Sequence, residues 1–259
     1  MSRKRAASLS PPPYLKRAWI QAGSITPDLA CEYPYGLALF KDGFEMAFDR
    51  PITILVGENG SGKSTILEGI AALAGYDSAG GGKGYRPVDH STALDTSGAK
   101  LASVMRAAWL PKVTNGWFFR AESFFSVARY LDDAAQGASG APPPDFLSHS
   151  HGEGFMRFFI ERFSRQGIYF FDEPESALSP ARQLDFLRLL RRMESARNAQ
   201  VIMATHSPIL MAYPGAQLLG LSHRGITPIE LEQTEHFAMY RDFARDPNAF
   251  VASALDECD

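Results

Sequence analysis

The chain has 259 residues, 45% hydrophobic and 21% charged, with a formal net charge of -3. That balance excludes collagen-like, low-complexity and charge-driven disordered chains, and it is ample for one large α/β core. The small net charge leaves no global footprint for nucleic acid, and the two cysteines, Cys31 and Cys258, have no metal spacing and no disulfide framework, so reduced thiols and a cytoplasmic location are expected.

Residues 1–17 are basic and proline-rich, with no apolar run of signal-peptide length, and read as a solvated tail without assigned function. Residues 18–259 read as a single domain. No stretch approaches the eighteen or so apolar residues of a membrane span, so neither secretion nor membrane insertion is expected. From Ala18 the segments WIQAG, GLALF and FEMAF, broken by Pro34, Gly36, Asp42 and Gly43, predict antiparallel strands.

The next stretch, ITILVGENGSGKST at 52–65, carries the strongest signal. Ile52 to Val56 predict a buried parallel strand, and TILEGIAALAG predicts a helix directly after the loop. Gly57, Gly62, Lys63 and Ser64 fit G-x-x-x-x-G-K-[ST], a loop whose backbone N–H groups wrap phosphate oxygens at a helix N-terminus. Gly57, Glu58, Asn59, Gly60, Ser61, Gly62, Lys63, Ser64 and Thr65 are therefore the candidate ATP-binding residues. Lys63 supplies charge to the β and γ phosphates, and the Ser64 hydroxyl is a ligand for Mg2+. Tyr33, Tyr35, Phe40 and Phe44, just upstream, offer rings to an adenine, although aromatic residues at strand positions belong as a rule to the core.

Residues 78–99 are glycine-rich and predict a mobile loop, and AAQGASGAPPPDF at 134–146 predicts a second break. The section between them reads as a partly helical insertion, about 100–165. Beyond it, IYFF at 168–171 predicts a short buried strand ending in Asp172 and Glu173. Ligands sit at the carboxyl ends of strands in open α/β sheets, so Asp172 is the candidate second Mg2+ ligand and Glu173 the candidate group that orients an attacking water. VIMATHSP at 201–208 repeats the pattern, and His206 at the same sheet edge is the candidate γ-phosphate contact. The C-terminal segment predicts two short strands, a turn at Arg224 and Gly225, and one or two helices; Glu235, His236, Arg241 and Asp242 either face the nucleotide or, the reading preferred here, form a charged helix surface.

The order GENGSGKST, SHGEG, FFDEPESALSP, ATHSP resembles the ABC-type ATPase family, in its soluble, AAA-labelled, SMC-like branch. The resemblance implies an α/β P-loop NTPase fold, an ABC-ATPase head with a mixed central sheet. It also implies a homodimer in which each ATP lies between one subunit's phosphate loop and the other's signature segment. It places that signature at Ser150, His151, Gly152 and Glu153, with Ser150 and Gly152 binding nucleotide. His151 and Glu153 stand where the family commonly has glycine and glutamine. It places the D-loop at Ser176 to Ser179, and the lid-loop metal ligand near Glu122, where the usual glutamine is missing. About 90 residues separate the phosphate loop from SHGEG, without heptads, which excludes a long coiled coil in between. The expected activity is Mg2+-dependent ATP hydrolysis driving a dimerisation switch. A nucleic-acid-associated repair or defence module and the ATP-binding subunit of a transporter are the alternatives, and an unidentified partner protein is compatible with each.

Overall fold

The computed structural model describes residues 10–41, 43–78, 80–83, 97–113, 115–121, 156, 159–160 and 166–256. Its centre is a seven-stranded sheet in the order β10-β9-β3-β8-β7-β6-β4. The phosphate-loop strand β3 (Ile52–Val56) runs parallel to β8 (Ala199–Ala204) and β9 (Gln217–Ser222), and β7 (Gly167–Asp172) runs parallel to β8 and β6 (Gly116–Arg120). The two outer strands, β4 (Gly81–Gly82) and β10 (Gly225–Pro228), are antiparallel to their neighbours. The sheet is therefore mixed, as expected.

β3, β7 and β8 are buried along their whole length, which is why each reads as an unbroken apolar run. Their side chains alternate between two cores. Ile52, Ile54, Tyr169, Phe171, Val201 and Met203 face one cluster, completed by Phe186, Leu190 and Met193 of α3 (Pro180–Ala196). Leu55, Ile168, Phe170, Ile202 and Ala204 face the other, with Ile66, Leu67 and Ile70 of α1 (Lys63–Ala74). Each helix thus covers one face and holds the loops at the strands' carboxyl ends in place.

The second sheet has three antiparallel strands, in the order β2-β1-β5. β1 (Leu15–Ile20) and β2 (Glu45–Ala47) form the N-terminal antiparallel pair; β2 falls within the expected FEMAF, whereas β1 begins four residues before the expected WIQAG and keeps only its Trp19 and Ile20. The third strand is β5 (Met105–Trp109), which follows α2 (Ser97–Val104).

Several expectations are corrected. GLALF is not a strand: Ala38–Phe40 form a 3₁₀ turn that buries Leu39 and Phe40. The tail ends earlier than residue 17, because Tyr14 and Leu15 are wholly buried and strand β1 begins at Leu15. The section from residue 100 does not open as an insertion, since β5 and β6 belong to the two sheets. The glycine-rich loop is bounded more tightly, with Gly81–Gly82 paired to β6 and α2 starting at Ser97. The break at 134–146 lies outside the described residues, as does most of the remaining insertion; Met156 and Phe159 within it are buried against the first core.

Candidate nucleotide site

The phosphate loop leaves β3 at Gly57, where an added Cβ would lie 2.7 Å from the Leu221 carbonyl oxygen and 2.8 Å from Ser61 Oγ. Only a residue without a side chain fits there. Gly62 then turns the chain into α1 with φ of 93°, a left-handed conformation that glycine adopts at no steric cost. The N-terminal amides of α1 are left facing the loop.

Lys63 begins that helix and is 5% exposed. Its Nζ donates to the carbonyl oxygens of Gly57 at 2.7 Å and Glu58 at 3.1 Å. Burial pushes the ammonium below its ordinary pKa, while Glu173 and Asp172 act the other way. The buried charge is thus held by its own loop and by the two carboxylates at the end of β7, one strand beyond β8.

Ser64 Oγ donates to Asp172 Oδ1 at 2.9 Å, joining the loop to the end of β7. A hydroxyl and a carboxylate are hard oxygen donors, and Mg2+ commonly takes few protein ligands, with waters and substrate phosphates filling the rest. The pair fits that ion. Consistent with so sparse a donor set, among the described residues no three His, Cys, Asp or Glu side chains gather into a metal cluster. Arg120, at the end of β6, reaches the same place: its Nη1 lies 2.9 Å from Glu68 Oε1 and its Nε 3.6 Å from Asp172 Oδ2. Glu122, the expected lid-loop metal ligand, lies outside the described residues, as do Ser150, His151, Gly152 and Glu153.

Glu173 follows Asp172 with φ of 48°, a left-handed conformation that is rare for a residue with a side chain. Its N–H donates to the Ala204 carbonyl at 3.0 Å, and its carboxylate is 44% exposed at the mouth of the site. His206 Nε2 stands 3.8 Å from Glu173 Oε1. The structure therefore brings Lys63, Ser64, Asp172, Glu173 and His206 to one sheet edge.

Two residues here were not among the site residues assigned from the sequence. Glu175 is half-buried beside the site and receives the Thr205 hydroxyl at 2.7 Å and the His206 backbone N–H. Burial raises its pKa, against the pull of those two hydrogen bonds. Its signal was weak, a second glutamate two residues after Glu173. His236, which reads from sequence as part of a charged helix surface, instead places Nε2 2.8 Å from His206 Nδ1.

Ser176 and Ala177 lie in a 3₁₀ turn, Pro174–Ala177; Leu178 is buried, and Ser179 caps α3 by accepting the Arg182 N–H. Of the four aromatic candidates, Tyr35, Phe40 and Phe44 are core. Tyr33 is 56% exposed, and its hydroxyl is hydrogen-bonded to the Thr65 hydroxyl in the phosphate loop. A cleft of about 560 Å³ opens beside the loop, lined by Gly57 to Ser61, Leu221, Thr227 and His236.

Fold and loop together define a P-loop nucleotide-binding domain. Comparison with known proteins narrows the class. Residues 36–118 match the family model described as "AAA domain", and residues 138–212 match "AAA domain, putative AbiEii toxin, Type IV TA system". The chain is 25% identical over 181 residues to the "Molybdenum import ATP-binding protein ModC" of Bordetella pertussis, covering 61% of this chain and 46% of that protein. It is also 25% identical over 188 residues to the "Probable amino-acid ABC transporter ATP-binding protein y4tH" of Sinorhizobium fredii, covering 63% and 72%. The chain thus spans less than half the length of the molybdenum-import relative. A solved structure described as the "SMC head domain from Thermotoga maritima" aligns with a TM-score of 0.46 and 16% identity over 84% of this chain and 100% of that one. The sequence similarities are thus to ATP-binding proteins of the ABC kind and to AAA domains, the kinds named by the resemblance drawn from the motifs. No helix among the described residues is long and apolar enough to cross a membrane.

Proposed function

We propose that the protein is a Mg2+-dependent ATPase that hydrolyses ATP to ADP and phosphate and uses bound ATP to close onto a second copy of itself. The observation that carries this reading is the Ser64 to Asp172 hydrogen bond, which joins the loop hydroxyl to the strand-end carboxylate beside Glu173 and His206. In the reaction Lys63 and the loop amides hold the phosphates, and the exposed ring of Tyr33 lies beside the loop to stack on the base. Ser64 and Asp172 would hold Mg2+, with Glu122 as a further ligand, and a bound ion there would supply charge to offset that of the phosphate oxygens. Glu173, half exposed at the mouth, orients a water for in-line attack on the γ-phosphorus, and His206 donates to a γ-phosphate oxygen. Ser150 and Gly152 of the second copy complete the site, as the family resemblance implies. The protein acts in the cytoplasm in this reading.

Two variants test it. Lys63→Ala is expected to lose Mg-ATP binding, measured by calorimetry. Glu173→Gln is expected to keep binding while turnover falls by about 10² to 10⁴, the range for removing a group that assists proton transfer. Turnover of Glu173→Gln at the parent rate would sink the assignment.

A further inference from the structure

His206 uses both nitrogens of its ring. Nε2 faces Glu173 Oε1 at 3.8 Å, and Nδ1 lies 2.8 Å from His236 Nε2, with ring centroids 5.0 Å apart at 54°. His236 stands in the first turn of α5 (Glu235–Arg245). That turn is well anchored: Thr234, 2% exposed, accepts the Phe237 N–H at 3.2 Å and donates to the Leu231 carbonyl at 2.7 Å. The second ring is therefore delivered by a capped helix start.

A nitrogen–nitrogen approach of this length needs one N–H and one lone pair. Burial and the nearby Lys63 hold the His206 imidazole below its ordinary pKa, so near neutral pH it carries one proton and must choose a nitrogen. Nε2, facing the phosphate site, helps an anion only if that nitrogen bears the proton. A lone pair there would repel a phosphate oxygen.

We propose that His236 is a positioning residue for His206: it donates Nε2–H to His206 Nδ1 and so keeps the His206 proton on Nε2, aimed at the γ-phosphate. This deepens the ATPase reading of the site and rests on it for its consequence in turnover. The same bond ties α5 to the phosphate site, although α5 buries none of its own residues.

The test uses full-length protein with ¹⁵N-labelled histidine. Long-range proton–nitrogen spectra report the tautomer of each ring, and the His206 signals are assigned by their loss in His206→Gln. The parent protein is expected to show His206 as the Nε2–H tautomer. His236→Phe is expected to release it to a mixture and to lower kcat by about tenfold with little change in KM for ATP, the scale seen when an outer partner that orients a site histidine is removed. His236→Gln, whose amide can still donate, is expected to restore tautomer and kcat to within about twofold. A parent His206 protonated on Nδ1, an unchanged tautomer in His236→Phe, or a glutamine variant as impaired as the phenylalanine would each overturn the proposal. Should the parent show the Nε2–H tautomer and His236→Phe disturb it while no variant hydrolyses ATP, the pairing stands and the ATPase reading falls.

Discussion

At the residue scale, His206 makes stability depend on pH in a direction that can be worked out. Burial is the largest influence on its imidazole and lowers the pKa; Lys63 and His236 act with it, and Glu173 and Glu58 act against it. The unfolded chain then binds its proton first as the solution is acidified, near the ordinary value of about 6.5. Folding stability from this group is accordingly level above that value, falls as pH drops through it, and levels again below the folded pKa. Urea titrations at pH steps between about 5 and 7.5 should show a shallower decline in His206→Gln than in the parent. An equal slope in the two proteins would remove His206 as the source. His206 was legible as a candidate because it sits two residues past an apolar strand whose neighbour β7 also ends in polar groups. Its partner was not, because His236 lies 30 residues further on and the bond exists only after α5 folds back across the sheet edge. Arg120 was hidden for the same reason. Its contacts with Glu68 and Asp172 cross from one strand end to a helix and another strand, and no spacing along the chain announces them.

At the scale of elements, one side chain ties the start of β1 to the central sheet. Gln200, in β8 and fully buried, accepts the N–H groups of Tyr14 and Leu15 through Oε1, each at 2.8 Å, and donates Nε2 to the Leu15 carbonyl at 3.0 Å. The amide acts as a piece of backbone, pairing with the start of β1 where no strand is available. Gln200→Leu keeps the volume and strips the partners from buried backbone groups. The expected loss is about 3 kcal/mol, at roughly 1 to 3 kcal/mol for each buried group left without a bond. Equilibrium urea unfolding measures it, and a loss below about 1 kcal/mol would show that β1 is held by its own sheet alone. This joint also marks where sequence reading ran out. β3, β7 and β8 are visible because burial on both faces demands continuous apolar residues. β1 starts inside a basic, proline-rich stretch, and an irregularity between Leu15 and Arg17 breaks the alternation of its buried positions. GLALF has strand composition, yet it becomes a 3₁₀ turn in which Leu39 and Phe40 are buried, and β5 takes the place beside β1 that a third N-terminal strand would have filled. Tertiary pairing, not local preference, decided both.

At the scale of the whole molecule, the exposure of the site bears on how it would work. Asn59 and Gly60 of the phosphate loop are exposed, and the Glu173 carboxylate is 44% exposed. A water oriented by Glu173 would stand open to bulk solvent, where charge stabilisation by Lys63 and His206 is weakened. Covering the mouth with a second copy removes that solvent, and an ATP held by one loop then becomes part of the contact surface. In the proposed dimer two sites would form together or not at all, so nucleotide would act as adhesive until it is split. The expected outcome is a change of mass in solution. Glu173→Gln, which retains ATP, should pass from the mass of one chain to that of two on adding Mg-ATP, as read by light scattering, and should revert when ATP is replaced by ADP. Ser150→Ala in the same background should remain a monomer in Mg-ATP while still binding it, because its loss falls on the second copy's contribution and leaves the phosphate loop intact. A monomer of Glu173→Gln at saturating ATP would rule out self-closure and move the search to a different chain that supplies the opposing surface.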